Sequence, residues 1–217
     1  QRKNSGSCSN MIKAVLFDMD GVLIDAKEWH YEALNDVLAA FGMTIDRDAH
    51  LSTYDGLPTR RKLEMLSIAR GLPRGLHELI NELKQARTAE IAMQRCRPTF
   101  NHVQALSRLK RDGRKLGVCS NSVRQSVELM MRLSGLTTYL DVLVSNEDVQ
   151  RSKPDPEMYV KAMGLLGVSP EETLILEDNE HGIAAARASG AHVMIIGVPD
   201  DVQYGRIVDS ISRLEAV

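Results

Sequence analysis

Residues 12–22 read Ile-Lys-Ala-Val-Leu-Phe-Asp-Met-Asp-Gly-Val, and this segment decides the fold class. The apolar run 14–17 predicts a strand that is buried on both faces, as in a parallel sheet. Asp18, Asp20 and Gly21 follow directly, at the strand end where open α/β sheets place their ligands. Two neighbouring carboxylates are costly to bury unless a cation or a proton offsets their charge. The segment therefore predicts a metal-assisted nucleophile beside a general acid, and its alternative is an ordinary Asx-type turn.

Three later segments repeat the same pattern, in which a short apolar strand ends in polar residues shortly before a helix. They are residues 115–119 before Ser120 and Asn121, residues 142–144 before the loop with Lys153, and residues 173–176 before Glu177 and Asp178. Strands that alternate with helices form βαβ units in a parallel sheet, and their carboxyl ends meet at one edge. We therefore expect these acids, a hydroxyl and an ammonium to converge on one site.

The segment after the first strand reads as helix, because residues 26–97 carry no strand signal. Asp25 and Glu28 resemble a capping box at the start of its first helix. The helix that follows Pro73 has an apolar stripe that we expect to be buried, formed by Leu76, Leu79, Ile80 and Leu83. Residues 26–97 are therefore expected to form a small helical unit of their own.

Together these patterns predict an α/β protein with a Rossmann-like, doubly wound parallel sheet. We expect residues 11–25 and 98–217 to form this core domain. A small all-helical domain, residues 26–97, is inserted after the first strand. Residues 1–10 are polar and are expected to be a flexible leader outside the fold.

The bulk composition of the 217-residue chain is typical of a globular protein, with 43% hydrophobic residues. A net charge of −2 gives no reason to expect nucleic acid or an anionic membrane as a partner. No apolar stretch approaches the roughly 20 residues that a membrane-spanning helix needs. Three scattered cysteines without paired spacing fit a reducing compartment. We therefore expect a cytoplasmic protein that is a monomer or a weak homo-oligomer.

The ordered set of strand-end residues closely resembles the haloacid dehalogenase-like superfamily of phosphoryl-transfer enzymes, over about residues 11–198. It is similar to the β-phosphoglucomutase-like and phosphatase branch, in which a helical, C1-type cap stands at the position of residues 26–97. The resemblance implies that Asp18 is the nucleophile and Asp20 the general acid and base. A carboxylate suits the first role because it can form an aspartyl-phosphate that water later hydrolyses.

The resemblance also assigns the phosphate contacts and the metal. Ser120 and Asn121 are implied to bind the phosphate, and Lys153 to neutralise its charge. The implied cofactor is Mg²⁺, which prefers hard oxygen ligands. Its implied ligands are the side chains of Asp18, Glu177 and Asp178 and the backbone carbonyl of Asp20. Mg²⁺ and Lys153 together leave about one negative charge on the four acids, and we expect a proton on Asp20 to cancel it.

The second acid narrows the activity within this superfamily. Dehalogenases and phosphonate-cleaving relatives lack an acid at the position of Asp20, so the resemblance favours phosphatases and phosphomutases. We predict a Mg²⁺-dependent phosphatase of a small phosphorylated metabolite, with a sugar phosphate as the foremost candidate. The first alternative is a sugar phosphomutase of the β-phosphoglucomutase type. The second is a catalytically silent relative that serves as a binding subunit.

The residues of the helical segment are expected to set the substrate. His30 and Arg60 are the candidate substrate contacts, whereas Arg61 and Lys62 are assigned to a solvated helix face. Asp55 stands where the sugar phosphomutases carry a lysine that faces the substrate. An acid there is expected to repel a second phosphate, which weakens the phosphomutase alternative.

Overall fold

The computed structural model describes residues 11–216, and five parallel strands form one sheet in the order β3-β2-β1-β4-β5. The strands are β1 (Ala14–Phe17), β2 (Lys115–Cys119), β3 (Val142–Val144), β4 (Thr173–Glu177) and β5 (His192–Ile195). The sequence-based positions of the strands and the α/β class are confirmed. The leader expected at residues 1–10 lies outside the described residues.

The central strand β1 is buried on both faces of the sheet. Leu16 of β1 pairs with Gly117 on one side and with Ile175 on the other. Val15 and Phe17 pack into the apolar cluster on one face, and Leu16 packs into the cluster on the opposite face. Successive side chains of a strand point to opposite faces, so a continuous apolar run is required here. The doubly wound architecture is confirmed.

Helices cover the two faces of this sheet. One apolar cluster includes residues of α5 (Phe100–Arg111), α6 (Arg124–Leu133) and α9 (Tyr204–Glu215). The opposite cluster includes residues of α7 (Glu157–Leu166) and α8 (Glu180–Ala188). The carboxyl ends of β1, β2 and β4 are left at one edge of the sheet.

The helices of residues 26–97 have an apolar cluster of their own. They are α1 (Lys27–Ala40), α2 (Arg47–Ala49), a π-helical turn (His50–Tyr54), α3 (Thr59–Arg70) and α4 (His77–Arg95). Leu38, Leu63 and Ile80 are buried at the centre of this cluster. Among the described residues, no helix combines the length and the apolar character that a membrane span requires.

Two sequence-based details of these helices are wrong. Helix α1 is capped by Ala26 without a side-chain hydrogen bond, because Glu28 accepts a hydrogen bond from Arg47 at 2.7 Å instead of closing a capping box. In α4, Leu79 and Leu83 are 45% and 42% exposed. The buried face of α4 instead follows Ile80, Lys84, Thr88 and Ile91. A lysine thus occupies the inner face of a helix where an apolar residue was expected.

The start of α8 generates a prediction about packing behind β4. A Cβ atom added at Gly182 would lie 2.0 Å from the carboxylate of Glu177, whereas one added at Gly164 of α7 would meet nothing within 4 Å. We expect Gly182→Ala to lower the free energy of unfolding by about 1–3 kcal/mol through overpacking. Gly164→Ala should raise it by about 0.5–1 kcal/mol, because alanine favours a helix interior. Urea unfolding of both variants checks this, and equal stabilities would contradict the packing described.

Candidate active site

The ammonium group of Lys153 holds the site together. Its Nζ donates hydrogen bonds to Asp18 Oδ1 at 2.6 Å, to Glu177 Oε1 at 2.7 Å and to the carbonyl oxygen of Cys119 at 2.9 Å. These acceptors follow β1, end β4 and end β2, respectively. All three charged side chains are buried. The predicted convergence of residues far apart in the sequence is therefore present.

The charges of this cluster are unbalanced. Burial raises the pKa of Asp18 well above its usual range, Glu177 adds to this effect, and Lys153 opposes it. Burial alone would lower the pKa of Lys153, but Asp18 and Glu177 raise it above the ordinary value. Glu177 also accepts a hydrogen bond from the buried hydroxyl of Tyr159. One ammonium shared by several carboxylates leaves an excess of negative charge.

This excess fits a divalent cation. Asp18, Glu177 and Asp178 each offer a carboxylate oxygen, and the three oxygens lie within 4.8 Å of one another. Asp178 Oδ2 is buried and accepts no hydrogen bond from the described residues, although Lys27 Nζ approaches it at 2.6 Å without hydrogen-bond angles. Burial raises the pKa of Asp178 despite this lysine. Hard oxygen ligands with uncompensated charge are what Mg²⁺ requires.

Gly21 is required beside this cluster for two reasons. Its φ is +91°, a conformation that residues with a side chain rarely adopt. A Cβ atom at this position would also lie 2.0 Å from Asp178 Oδ2. The glycine after the two aspartates therefore allows the first loop to approach the end of β4.

Asp20 belongs to a second hydrogen-bond network, whose members do not include Lys153. Its Oδ1 is 3.0 Å from His30 Nε2, and its Oδ2 accepts a hydrogen bond from Ser122 Oγ at 3.1 Å. Lys84 Nζ is 3.0 Å from the other ring nitrogen of His30. Burial would raise the pKa of Asp20, but the charge and hydrogen bond of His30, with Lys84 and Ser122, hold it below its ordinary value. This lowered pKa disagrees with the expected proton on Asp20, because Lys84 of α4 and the hydrogen bonds from His30 and Ser122 stabilise the carboxylate form.

The two predicted phosphate contacts are placed differently from each other. Ser120 is buried, and its hydroxyl accepts a hydrogen bond from the Ser122 N–H at 3.1 Å. The Asn121 side chain binds main-chain atoms, donating to the Gly56 carbonyl at 3.0 Å and accepting from the Lys153 N–H at 3.0 Å. The backbone N–H of Asn121, in contrast to its side chain, has no hydrogen-bond partner among the described residues. Asn121 thus joins the loop before α3 to the Lys153 loop.

A cavity of about 600 Å³ opens above these groups. Asp18, Asp20 and Lys153 line its sheet side, whereas Ser120, Glu177 and Asp178 are not among its lining residues. The helical segment supplies the opposite wall, which includes His30 and Arg60, the two substrate contacts predicted from the sequence. Three lysines that the sequence did not identify as cavity residues also line this wall: Lys27, Lys62 and Lys84.

Lys62 corrects the expected solvated face of α3. Arg61 is exposed, but Lys62 is only 7% exposed and makes no hydrogen bond or ion pair with any residue that the structure describes. Burial lowers its pKa to about 8, against the opposing effects of Asp55 and Asp20. Burial and the charge of Lys62 lower the pKa of Lys84 to about 7. A signal for Lys84 existed in the sequence, since it follows the buried Ile80 by one helical turn.

Asp55 is partly neutralised, contrary to the expectation that it repels anions. Lys27 Nζ lies 3.6 Å from Asp55 Oδ2 and also contacts Asp178. The cavity wall formed by the helical segment contains five cationic side chains, from Lys27, Arg60, Arg61, Lys62 and Lys84, and two carboxylates, from Asp55 and Glu64. This wall is therefore positively charged.

Comparisons with known proteins identify the family of this chain. The family model of the haloacid dehalogenase-like hydrolases matches residues 15–196. A phosphorylated carbohydrates phosphatase of Thermotoga maritima is 31% identical over 199 residues, which cover 90% of this chain and 89% of that protein. Pyrophosphatase PpaX of Bacillus cereus is also 31% identical, over 82% of this chain and 80% of its own length. The fold matches β-phosphoglucomutase of Clostridium difficile with a TM-score of 0.83 at 18% identity, covering 95% of this chain and all of that structure.

The burial of Lys62 predicts that this residue lowers stability. Its folded-state pKa of about 8 lies below the ordinary 10.5, so between these pH values the unfolded chain binds more protons. The free energy of unfolding of the wild type should therefore rise with pH across this window. At neutral pH, Lys62→Met should be more stable than the wild type by about 1–3 kcal/mol, the cost of burying an unpaired polar group.

This advantage should shrink as the pH rises from about 8 to 10.5. Arg61→Met, at the exposed neighbouring position, serves as the control and should change the free energy of unfolding by less than about 0.5 kcal/mol. Urea unfolding at several pH values measures both variants. A Lys62→Met variant that is less stable than the wild type at neutral pH would contradict an unpaired buried ammonium.

Proposed function

This chain belongs to the haloacid dehalogenase-like hydrolases, and from this membership we propose that it is a Mg²⁺-dependent phosphatase that acts through an aspartyl-phosphate. Named phosphatases among its relatives support the broader assignment as a phosphoric ester hydrolase. The observation that carries the proposal is the buried contact of Asp18 with Lys153 at the floor of a cavity. This contact places a carboxylate nucleophile beside a fixed positive charge, as phosphoryl transfer requires.

The side chains of Asp18, Glu177 and Asp178 and the carbonyl of Asp20 would hold the Mg²⁺. When bound, the ion supplies positive charge that stabilises the phosphoryl oxygens. Lys153 adds a fixed charge beside the nucleophile, and Ser120 and the Asn121 N–H are the further donors for these oxygens. Asp18 attacks phosphorus, and the bond from phosphorus to the leaving oxygen breaks.

The network around Asp20 transfers the protons in both steps of the proposed reaction. Lys84 donates to one nitrogen of His30, so the other nitrogen can donate to Asp20, and a proton can move along this line to the leaving oxygen. In the second step, Asp20 takes a proton from water while that water attacks phosphorus. The bond between phosphorus and Asp18 breaks, which releases inorganic phosphate and restores the carboxylate.

The helical segment acts as a cap in this proposal. Residues 26–97 form the cap domain, and residues 11–25 and 98–217 form the core. Groups for both proton transfer and substrate binding come from the cap side of the cavity, including His30 and Arg60. Closure of such a cap excludes bulk water while the phosphoryl group moves.

A small phosphorylated metabolite is the proposed substrate, with sugar phosphates as the foremost class. Support comes from the relative named as a phosphorylated carbohydrates phosphatase. The phosphomutase alternative is kept because Lys27 offsets the charge of Asp55, the residue that argued against it. Hydrolysis releases inorganic phosphate, whereas a mutase converts a hexose 1-phosphate to the 6-phosphate without free phosphate. Assaying both products from one incubation distinguishes the two activities.

Substitution of the proposed nucleophile gives the first functional prediction. Asp18→Asn should lower phosphate release from an aryl phosphate, with Mg²⁺ present, by at least about a thousandfold. Asp25→Asn, an exposed position in the same loop region, removes an equal charge and should leave the rate unchanged. Phosphate release measured for both purified variants tests this. An Asp18→Asn variant that retains a tenth of the wild-type rate would refute the assignment.

Lys27 gives a prediction about metal affinity that needs no substrate. Its ammonium lies 2.6 Å from Asp178 Oδ2 and competes there with a cation. Lys27→Met should tighten Mg²⁺ binding about tenfold, seen as a larger rise in Tm at low Mg²⁺ concentration. Arg187→Met, at an exposed position without a side-chain hydrogen bond or ion pair among the described residues, is the matched control for charge. Equal or weaker Mg²⁺ binding by Lys27→Met would show that Asp178 is not a ligand.

A further inference from the structure

Lys62 is the buried charge that the proposed reaction does not use. It lies on α3, lines the cavity and has neither an ion pair nor a hydrogen bond within the described part of the chain. The side chain is only 7% exposed, so its ammonium is largely desolvated at the cavity wall, which is unfavourable unless an anion offsets the charge. Buried lysines that serve only the fold are expected to have a fixed carboxylate partner. Lys62 has none, and its ammonium group belongs to the wall of the substrate cavity.

The acids nearest to Lys62 are already engaged by other groups. Asp55 and Asp20 are the two carboxylates that raise its pKa. Asp55 is shared with Lys27 at 3.6 Å, and Asp20 is bound by His30 at 3.0 Å. The second buried lysine of this wall, Lys84, adds positive charge beside Lys62. The described residues therefore leave the positive charge of Lys62 without an offsetting negative charge.

The position of Lys62 identifies which part of a substrate it would meet. The transferred phosphoryl group belongs beside Asp18, on the sheet side of the cavity. Asp18 and Lys153 line that side, whereas Lys62 lies on α3, in the wall that the helical segment supplies. A substrate whose phosphoryl group contacts Asp18 extends its leaving portion toward this helical wall, so Lys62 lies on the leaving-group side.

We propose that Lys62 binds a second anionic group on the leaving portion of the substrate. The preferred substrates are then phosphoric esters whose alcohol bears a carboxylate or another phosphoryl group. This inference rests on the proposed phosphatase function and narrows its substrate class. It also explains why a lysine occupies an inner position of α3, where an apolar residue would stabilise the cap.

Three small esters with a two-carbon leaving group test the proposal. Phosphoglycolate carries a carboxylate, ethylene glycol bisphosphate carries a second phosphoryl group, and hydroxyethyl phosphate carries a neutral hydroxyl. The wild type should hydrolyse at least one charged ester with a kcat/KM about tenfold or more above that of the neutral ester, as a charge-assisted contact provides. The better of the two charged esters identifies the source of the anion.

Variants locate the preference at Lys62. Lys62→Met should lower kcat/KM for the preferred charged ester by about 10- to 100-fold, mostly through KM, and change the neutral ester by less than about threefold. Lys62→Gln is a second variant with the same expectation, in case the methionine disturbs α3. Arg187→Met loses an equal charge far from the cavity and should keep the wild-type preference.

The failures of the two proposals are distinguishable. If the wild type hydrolyses all three esters equally, or if Lys62→Met slows all three equally, the anion site is refuted and the phosphatase function stands. If no phosphate is released from these esters or from an aryl phosphate in the presence of Mg²⁺, the proposed function itself fails, and the anion site fails with it.

Discussion

The shared ammonium of Lys153 is the constraint on which the rest of the structure depends. It binds groups from the ends of β1, β2 and β4, so it fixes three neighbouring strand ends relative to one another. Buried charges are stable only with close partners, and the removal of one partner leaves the others uncompensated. The same cluster explains the tight glycines around it, since Gly21 admits Asp178 and Gly182 admits Glu177. The surplus of carboxylates over ammonium groups is the physical argument for the proposed Mg²⁺ at this edge.

The two walls of the cavity contribute different chemical groups. In the proposed reaction, the sheet side would provide the nucleophile and the charges around phosphorus, and the helical side the line from Lys84 through His30 to Asp20. Neither wall is complete alone, because His30 of α1 and Lys84 of α4 stabilise the carboxylate form of Asp20. Buried lysines in these helices reduce stability, and proteins retain such residues where function requires them. The helical segment is therefore part of the chemistry as well as a cover over it.

The sheet and the residues at its strand ends could be predicted from the sequence, whereas only His30 and Arg60 of the helical wall could. Parallel strands buried on both faces are continuous apolar runs, so β1 and β4 and the acids after them stand out. The inner face of a helix is found by its apolar stripe, and that rule fails where the helix faces a polar cavity. The apolar stripe therefore led to the wrong prediction that Leu79 and Leu83 are buried. It gave no indication that Lys84 and Lys62 are buried. The lowered pKa of Asp20 was missed for the same reason, because His30 and Lys84, which stabilise its carboxylate, belong to these helices.

The stereochemistry at phosphorus tests the central claim most directly. If Asp18 attacks first and water second, two in-line displacements occur, and each inverts the configuration. The net change of configuration can be measured with a thiophosphate ester that oxygen isotopes and sulfur make chiral at phosphorus. The ester is hydrolysed in isotopically labelled water. The account predicts retention of configuration in the released thiophosphate. Inversion would mean that water attacks the substrate directly, and it would contradict the role of the buried carboxylate at residue 18.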